Sequence, residues 1–203
     1  MVESEIYGIF PTPIYRSELK RKFTKKEINF FNNIQWKYNK NNTTSADNYV
    51  LERPDLSSLK KEINLFVKDY FDKIIFPQPS TSPYITQSWL NCTKEEEGHH
   101  AHNHANSYVS GVFYINAEKN KDSISFRDSR YNLLKIISTK QELYNSDTWN
   151  FSVKKQDIII FPSYLTHLVE QKKHKNNRIS LSFNVFLKGT LGEAQDLNQL
   201  YLT

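Results

Sequence analysis

Gly98-His99-His100-Ala101-His102-Asn103-His104-Ala105-Asn106-Ser107 leads directly into Tyr108-Val109-Ser110-Gly111-Val112-Phe113-Tyr114-Ile115. The reading of this stretch decides the fold. Its first half is polar and holds four of the six histidines; its second half is β-branched and aromatic. Side chains on extended backbone alternate between faces, so His100, His102 and His104 fall on one face at steps of about 7 Å, and His99 points to the other. Three imidazoles on one face are poor core material and repel one another when protonated. A divalent ion accounts for them, because each neutral ring offers a lone pair. The apolar strand that follows at once makes this the mouth of a folded barrel rather than an exposed tail.

Outward from this stretch, the whole region after Pro83 has a period of two. Strands are expected near residues 84–93, 99–104, 107–116, 123–127, 148–154, 157–162, 164–170 and 178–187. Eight short strands with few glycines and one longer excursion, 128–147, point to an antiparallel barrel or double-sheet jelly roll. Before Pro83 the period is that of a helix. Thr24 and Glu27 have capping-box spacing, and Ile28, Phe31 and Ile34 continue a helix to about Tyr38. Residues 39–54 read as loop. Asp55 opens a second helix with Leu56, Leu59, Ile63, Phe66, Val67, Tyr70 and Ile74 on one stripe, which core packing explains; the prolines of 76–83 stop it. The fold class is α+β, with two helices covering one outer sheet. A single domain over 1–203 is expected: a helical part to 83, a core over 84–190 and a tail over 191–203.

Composition sets limits on function. The chain has 203 residues, 38% hydrophobic and 14% aromatic, enough to build a core. No apolar run approaches the ~20 residues of a membrane span. The single cysteine, Cys92, excludes an intrachain disulfide or a multi-cysteine metal site, and a reducing cytoplasm is the expected compartment (a host's, for a viral protein). The net charge of +5 is mild for this length. The lysine-rich runs at 20–26 and 172–175 read as solvated loops, and nucleic acid is not expected as a partner. An Asn, Lys and Ile bias suits an AT-rich genome. A homodimer is left open.

A metal held by the His-rich strand needs a further ligand. His167 is the candidate, just after the apolar strand Asp157-Ile158-Ile159-Ile160-Phe161; His174, in a lysine-rich loop, is not. The last strand, Arg178-Ile179-Ser180-Leu181-Ser182-Phe183-Asn184-Val185-Phe186, has one polar and one apolar face. That pattern suits a cavity wall or a water-facing edge equally. On a cavity wall, the Arg178 fork and Ser180 hydroxyl would suit a carboxylate ligand.

Taken together, these residues resemble the iron(II)- and 2-oxoglutarate-dependent oxygenases, whose double-stranded β-helix, a cupin-like jelly roll, carries an H-x-D/E…H triad with an arginine beyond the distal histidine. Arg178 follows His167 by eleven positions. The likeness is closest to the 2-oxoglutarate/iron oxygenase family common in marine bacteria and their phages. It rests on Ile9-Phe10-Pro11-Thr12-Pro13-Ile14-Tyr15, Ser88-Trp89-Leu90-Asn91, His102-Asn103-His104, Ser110-Gly111-Val112-Phe113-Tyr114, and Phe161-Pro162-Ser163 through His167 to Arg178-Ile179-Ser180, and spans nearly the whole chain.

The resemblance implies Fe(II) on His102, His104 and His167, and 2-oxoglutarate held at its far carboxylate by Arg178 and Ser180, with Asn91 and Tyr114 as further cosubstrate contacts. It implies a dioxygenase that hydroxylates a small-molecule or protein substrate while 2-oxoglutarate becomes succinate and CO₂. One position departs from the family pattern: His104 stands where a carboxylate is usual. Zinc would also suit three imidazoles, His100 with His102 is an alternative pair, and Asp122 and Asp128 are carboxylates in reserve. The competing readings are a three-histidine metalloenzyme without 2-oxoglutarate, such as a cupin-like dioxygenase or a zinc hydrolase or lyase, and a non-catalytic metal-binding barrel. Arg130 and Tyr131, with the loop after Asn39, are candidates for shaping the substrate pocket.

Overall fold

A computed structural model describes residues 2–128 and 136–203; Arg130 and Tyr131 lie outside these described residues. All eight expected strands are present: β4 (Thr81–Thr93), β5 (His99–His102), β6 (Val109–Asn116), β7 (Asp122–Arg127), β8 (Thr148–Val153), β9 (Asp157–Pro162), β10 (Thr166–Val169) and β11 (Arg178–Leu191). Four more join them: β1 (Tyr15–Glu18), β2 (Trp36–Asn39), β3 (Asn42–Ser45) and β12 (Leu200–Leu202). The larger sheet runs β1-β9-β6-β11-β4-β3-β2, with β12 also on β11, and the smaller runs β5-β10-β7-β8.

Two apolar cores lie on the two faces of the larger sheet. The β9 run explains why both are needed: Ile158 and Ile160 enter one, Ile159 and Phe161 the other. Between the sheets, Ile159 and Phe161 meet Val112 and Tyr114 of β6 and Ile124 and Phe126 of β7. On the outer face, Leu59, Ile63, Val67 and Tyr70 of helix α2 (Ser57–Tyr70) pack with Leu90, Phe113, Leu181 and Phe183. Each such fully buried side chain contributes about 1.5–3 kcal/mol. Gly111 faces Phe183 across the β6–β11 ladder. A Cβ there would lie 2.1 Å from the Phe183 ring, so only glycine lets the ring lie flat on the strand.

The first helix is shorter than its sequence suggests. The capping box forms: Thr24 Oγ1 accepts from the Glu27 amide, and the Glu27 carboxylate accepts from the Thr24 amide. But α1 (Lys25–Asn32) ends where the Asn33 side chain donates to the Asn29 carbonyl. Trp36–Asn39 then forms a strand where the helix was expected to continue, and pairs with Asn42–Ser45 through a two-residue turn with Lys40 at φ 43°. Consecutive asparagines favour caps and turns, and Trp36 and Tyr38 favour strands. Their registry with the sheet overrides the weak helical period. This hairpin, expected as loop after Asn39, puts Asn39 and Thr44 beside the histidines.

Lys172 is also unlike its expected setting. It is buried, and its Nζ lies 3.0 Å from Asp122 Oδ1. The neighbouring Lys173, His174 and Lys175 are exposed.

Candidate metal and cosubstrate site

Strand pairing assembles the histidines. On β5 and β10, His102 sits opposite His167, and His99 opposite Val169. Two residues on β5, His100 and Ala101, thus stand opposite one on β10, Leu168, which is a bulge. Its consequence corrects the simple alternation. His99 turns inward and its ring stacks on His102 at 4.4 Å between centroids, whereas His100 is exposed. His104, just past the strand, is held by its amide, which donates to the Ser163 carbonyl at 3.0 Å. One ligand atom each from His102, His104 and His167 lie within 4.8 Å of one another. A second group, His99, His100 and His102, satisfies the same limit, but it shares His102 and has an exposed member. Among the described residues, no carboxylate joins either group: Asp122 instead accepts from Lys172 and Asn176.

Each of the three rings has its Nδ1 turned toward an oxygen acceptor. His102 Nδ1 lies 2.8 Å from the His100 carbonyl, His167 Nδ1 3.1 Å from the Leu165 carbonyl, and His104 Nδ1 2.6 Å from Asn184 Oδ1. The Asn184 amide is oriented in turn, because its Nδ2 donates to Gln87 Oε1 at 3.2 Å. A carbonyl oxygen accepts only, so all three rings carry their proton on Nδ1 and present the Nε2 lone pair. Burial is the main reason the rings stay neutral: it pushes His102 down to about 4 and His167 to about 3, and lowers His104 against the opposing pull of Asn184. Neutral rings with lone pairs converging on one point are what a divalent ion requires.

Beyond the rings lies an anion-binding floor. The polar face of β11 is a cavity wall rather than an edge: Arg178, Ser180, Ser182 and Asn184 are all buried. Arg178 Nη1 donates to the Ser123 carbonyl at 3.0 Å and Nη2 lies 3.4 Å from Thr93 Oγ1, while Nε has no partner. Among the described residues no carboxylate lies within ion-pair distance of it; burial lowers its pKa, against the weaker opposing pull of more distant charges such as Asp122. Tyr114, fully buried beside it, is pushed up to about 12, chiefly by burial, and stays a neutral hydroxyl. Asn91 Nδ2 donates to Ser182 Oγ at 3.0 Å and its Oδ1 is unpartnered. Since Ser182 can donate as well as accept, rotation of that amide would turn its NH₂ toward an anion. Arg178, Ser180, Asn91 and Tyr114 line the same small cavity as His102, His104 and His167, about 30 Å³ in volume.

A model of the family described as "Putative 2OG-Fe(II) oxygenase" matches residues 87–184, a span that contains every one of these residues. Over these residues, just under half of the chain, the sequence is similar to the 2-oxoglutarate/Fe(II) oxygenases. Solved structures share its fold at low identity. An oxidoreductase of the 2OG-Fe(II) oxygenase family from Burkholderia pseudomallei is 11% identical, with TM-score 0.54 over 79% of this chain and 78% of its own. HygX from Streptomyces hygroscopicus, solved with nickel and 2-oxoglutarate, is 10% identical, with TM-score 0.61 over 86% and 82%. The epimerase SnoN from nogalamycin biosynthesis is 9% identical, with TM-score 0.56 over 80% and 72%. No curated protein matches by sequence.

Within this cavity the residues expected from the sequence are brought together, and in and around it lie others that the sequence did not point to. Asn184 had been read only as part of a polar face; its contact with His104 depends on a pairing 80 residues apart. Ser110 Oγ lies 2.9 Å from His104 Nδ1, 3.0 Å from Asn184 Oδ1 and 2.8 Å from Ser163 Oγ, and so braces the same ring. His99 was placed on the wrong face. It lines the same cavity, and burial drives it down to about 3. No local sequence signal marks the bulge that turns it.

Proposed function

We propose that His102, His104 and His167 hold the Fe(II) of this oxygenase, that Arg178 and Ser180 bind the far carboxylate of 2-oxoglutarate, and that Asn91 and Tyr114 contact the same cosubstrate. The observation that carries the reading is the pairing of three Nδ1-protonated imidazoles with a buried arginine that has no carboxylate in contact and an unpartnered Nε, both on one cavity. The donor set fits. Three lone pairs suit a divalent ion, and the orphaned Arg178 Nε suits a carboxylate that completes the guanidinium's bonding.

Bound iron and 2-oxoglutarate supply the oxidative chemistry, which ends in succinate, CO₂ and an oxidised substrate, with hydroxylation as the proposed outcome. The chain supplies position and exclusion of water. Asn184 and the backbone carbonyls of His100 and Leu165 fix the ring tautomers. Phe126 and Phe161, packed on His167, keep water from that side. The cavity at about 30 Å³ holds roughly one water, so the cosubstrate must displace side chains on entry.

Three neutral imidazoles leave the ion its full charge, whereas the usual carboxylate would remove one unit. That favours an anionic cosubstrate. We read residues 1–203 as one unit, working in a reducing cytoplasm; the single buried Cys92 supports this. No helix among the described residues is long and apolar enough to cross a membrane. An origin in a marine bacterium or phage rests on composition and family likeness alone.

The test is anaerobic addition of Fe(II) and then 2-oxoglutarate to the metal-free protein, followed by visible absorption and calorimetry. A weak charge-transfer band that appears only with both, and is lost in His167→Ala, is expected. Arg178→Ala should weaken 2-oxoglutarate binding while leaving metal binding in place. Equal 2-oxoglutarate affinity in Arg178→Ala would refute the cosubstrate assignment.

A further inference from the structure

A groove of about 370 Å³ opens beside two histidines of the triad, His102 and His104, walled on one side by the β2–β3 hairpin and on the other by β4. His99, His102 and His104 form its floor. Its walls present amides from Asn39, Asn48 and Gln87, the Thr44 hydroxyl, the half-buried Trp89 ring and the ammonium of Lys37. No lining residue carries a carboxylate. The acids of adjoining turns lie outside the lining: Asp47 pairs with Arg53 at 2.6 Å, Glu96 accepts from the Gln171 side-chain amide at 3.0 Å, Glu97 accepts from the Lys94 amide at 2.8 Å, and Glu95 is exposed. Lys40, at the tip of the same hairpin, adds its positive field at His102.

The triad contributes to the same sign. With His104 as an uncharged ligand, a divalent ion with bound 2-oxoglutarate and Arg178 sums to one positive unit, where a carboxylate ligand would bring neutrality. The volume is at the small end of small-molecule pockets. We infer that the groove beside the triad binds a small, polar substrate bearing a carboxylate or phosphate, its anion on Lys37, its polar groups on Asn39, Asn48 and Gln87, and one flat face on Trp89. This rests on the assignment of the triad as the metal site.

The full chain, loaded with Mn(II) and 2-oxoglutarate and kept in excess over the metal, provides the test. Four sugars of one scaffold are offered at millimolar concentration: D-glucuronate, D-glucose 6-phosphate, D-glucose and D-glucosamine. Paramagnetic broadening of their proton resonances reports who sits near the metal. At least one anionic sugar should be broadened about two- to fivefold more than glucose, the scale of one exposed ion pair, and glucosamine least. The larger of the two anionic effects distinguishes carboxylate from phosphate. Lys37→Ala should bring the anions to the level of glucose, and Lys37→Glu should invert the order. Equal broadening of all four, none at all, a preference for glucosamine, or anion preference unchanged in both variants overturns the inference. Failure of the metal-site assignment would show separately, as a Mn(II) EPR spectrum that 2-oxoglutarate does not alter.

Discussion

Metal binding at mildly acid pH should release less than about one proton, and the size of the effect follows from the burial of the rings. At pH 6.0 an imidazole with the ordinary pKa of about 6.5 is about three-quarters protonated, so three such ligands would shed about 2.3 protons when an ion takes their lone pairs. His102 at about 4 and His167 at about 3 are already more than about 99% neutral there. His104 is lowered as well, so the total should fall below about one proton. The assay is calorimetric titration of the metal-free protein with Mn(II) at pH 6.0 in two buffers of different ionisation heat; the difference in apparent enthalpy gives the protons released. Release of about two protons would refute the reasoning, because it would mean the rings stand open to water rather than buried as neutral tautomers. The linkage has a matching sign in stability. The unfolded chain takes up these protons below about pH 6.5 and the fold resists them, so the metal-free protein loses stability as pH falls from there toward about 3.

Two substitutions probe the supports of the site. Asn184→Ala removes the acceptor that fixes the His104 tautomer and should lower metal affinity about 10–100-fold, while Asn184→Asp, which keeps an oxygen there, should retain most of it; calorimetry checks both. Gly111→Ala drives a methyl to 2.1 Å from the Phe183 ring and should cost about 1–3 kcal/mol, read as a lower urea midpoint.

The sequence carried the parts of this fold that repeat with a fixed period. Eight strands were legible because Ile158 to Phe161 and Ile179 to Val185 alternate, or are apolar throughout, as sheet burial on one or both faces demands. The α2 stripe was legible for the same reason. His102, His104 and His167 could be named because imidazoles beside apolar strands have few other uses. Features that depend on register were hidden. The β5 bulge turns His99 inward and His100 out, and a two-against-one pairing leaves no trace in composition. The β2–β3 hairpin was masked by a helical period through Ile34 that two asparagines terminate. Asn184 became a support for His104 only once β11 lay beside β6 and β4.

Turnover tests the central claim most directly. Purified protein is supplied with Fe(II), 2-oxoglutarate and oxygen, and succinate is measured with and without candidate substrates, beside His104→Ala and Arg178→Ala. The account predicts iron-dependent succinate, matched by loss of 2-oxoglutarate, that disappears in His104→Ala and requires far more 2-oxoglutarate in Arg178→Ala. Tightly held zinc with no succinate under any of these conditions, or succinate formation unchanged in both variants, would contradict it.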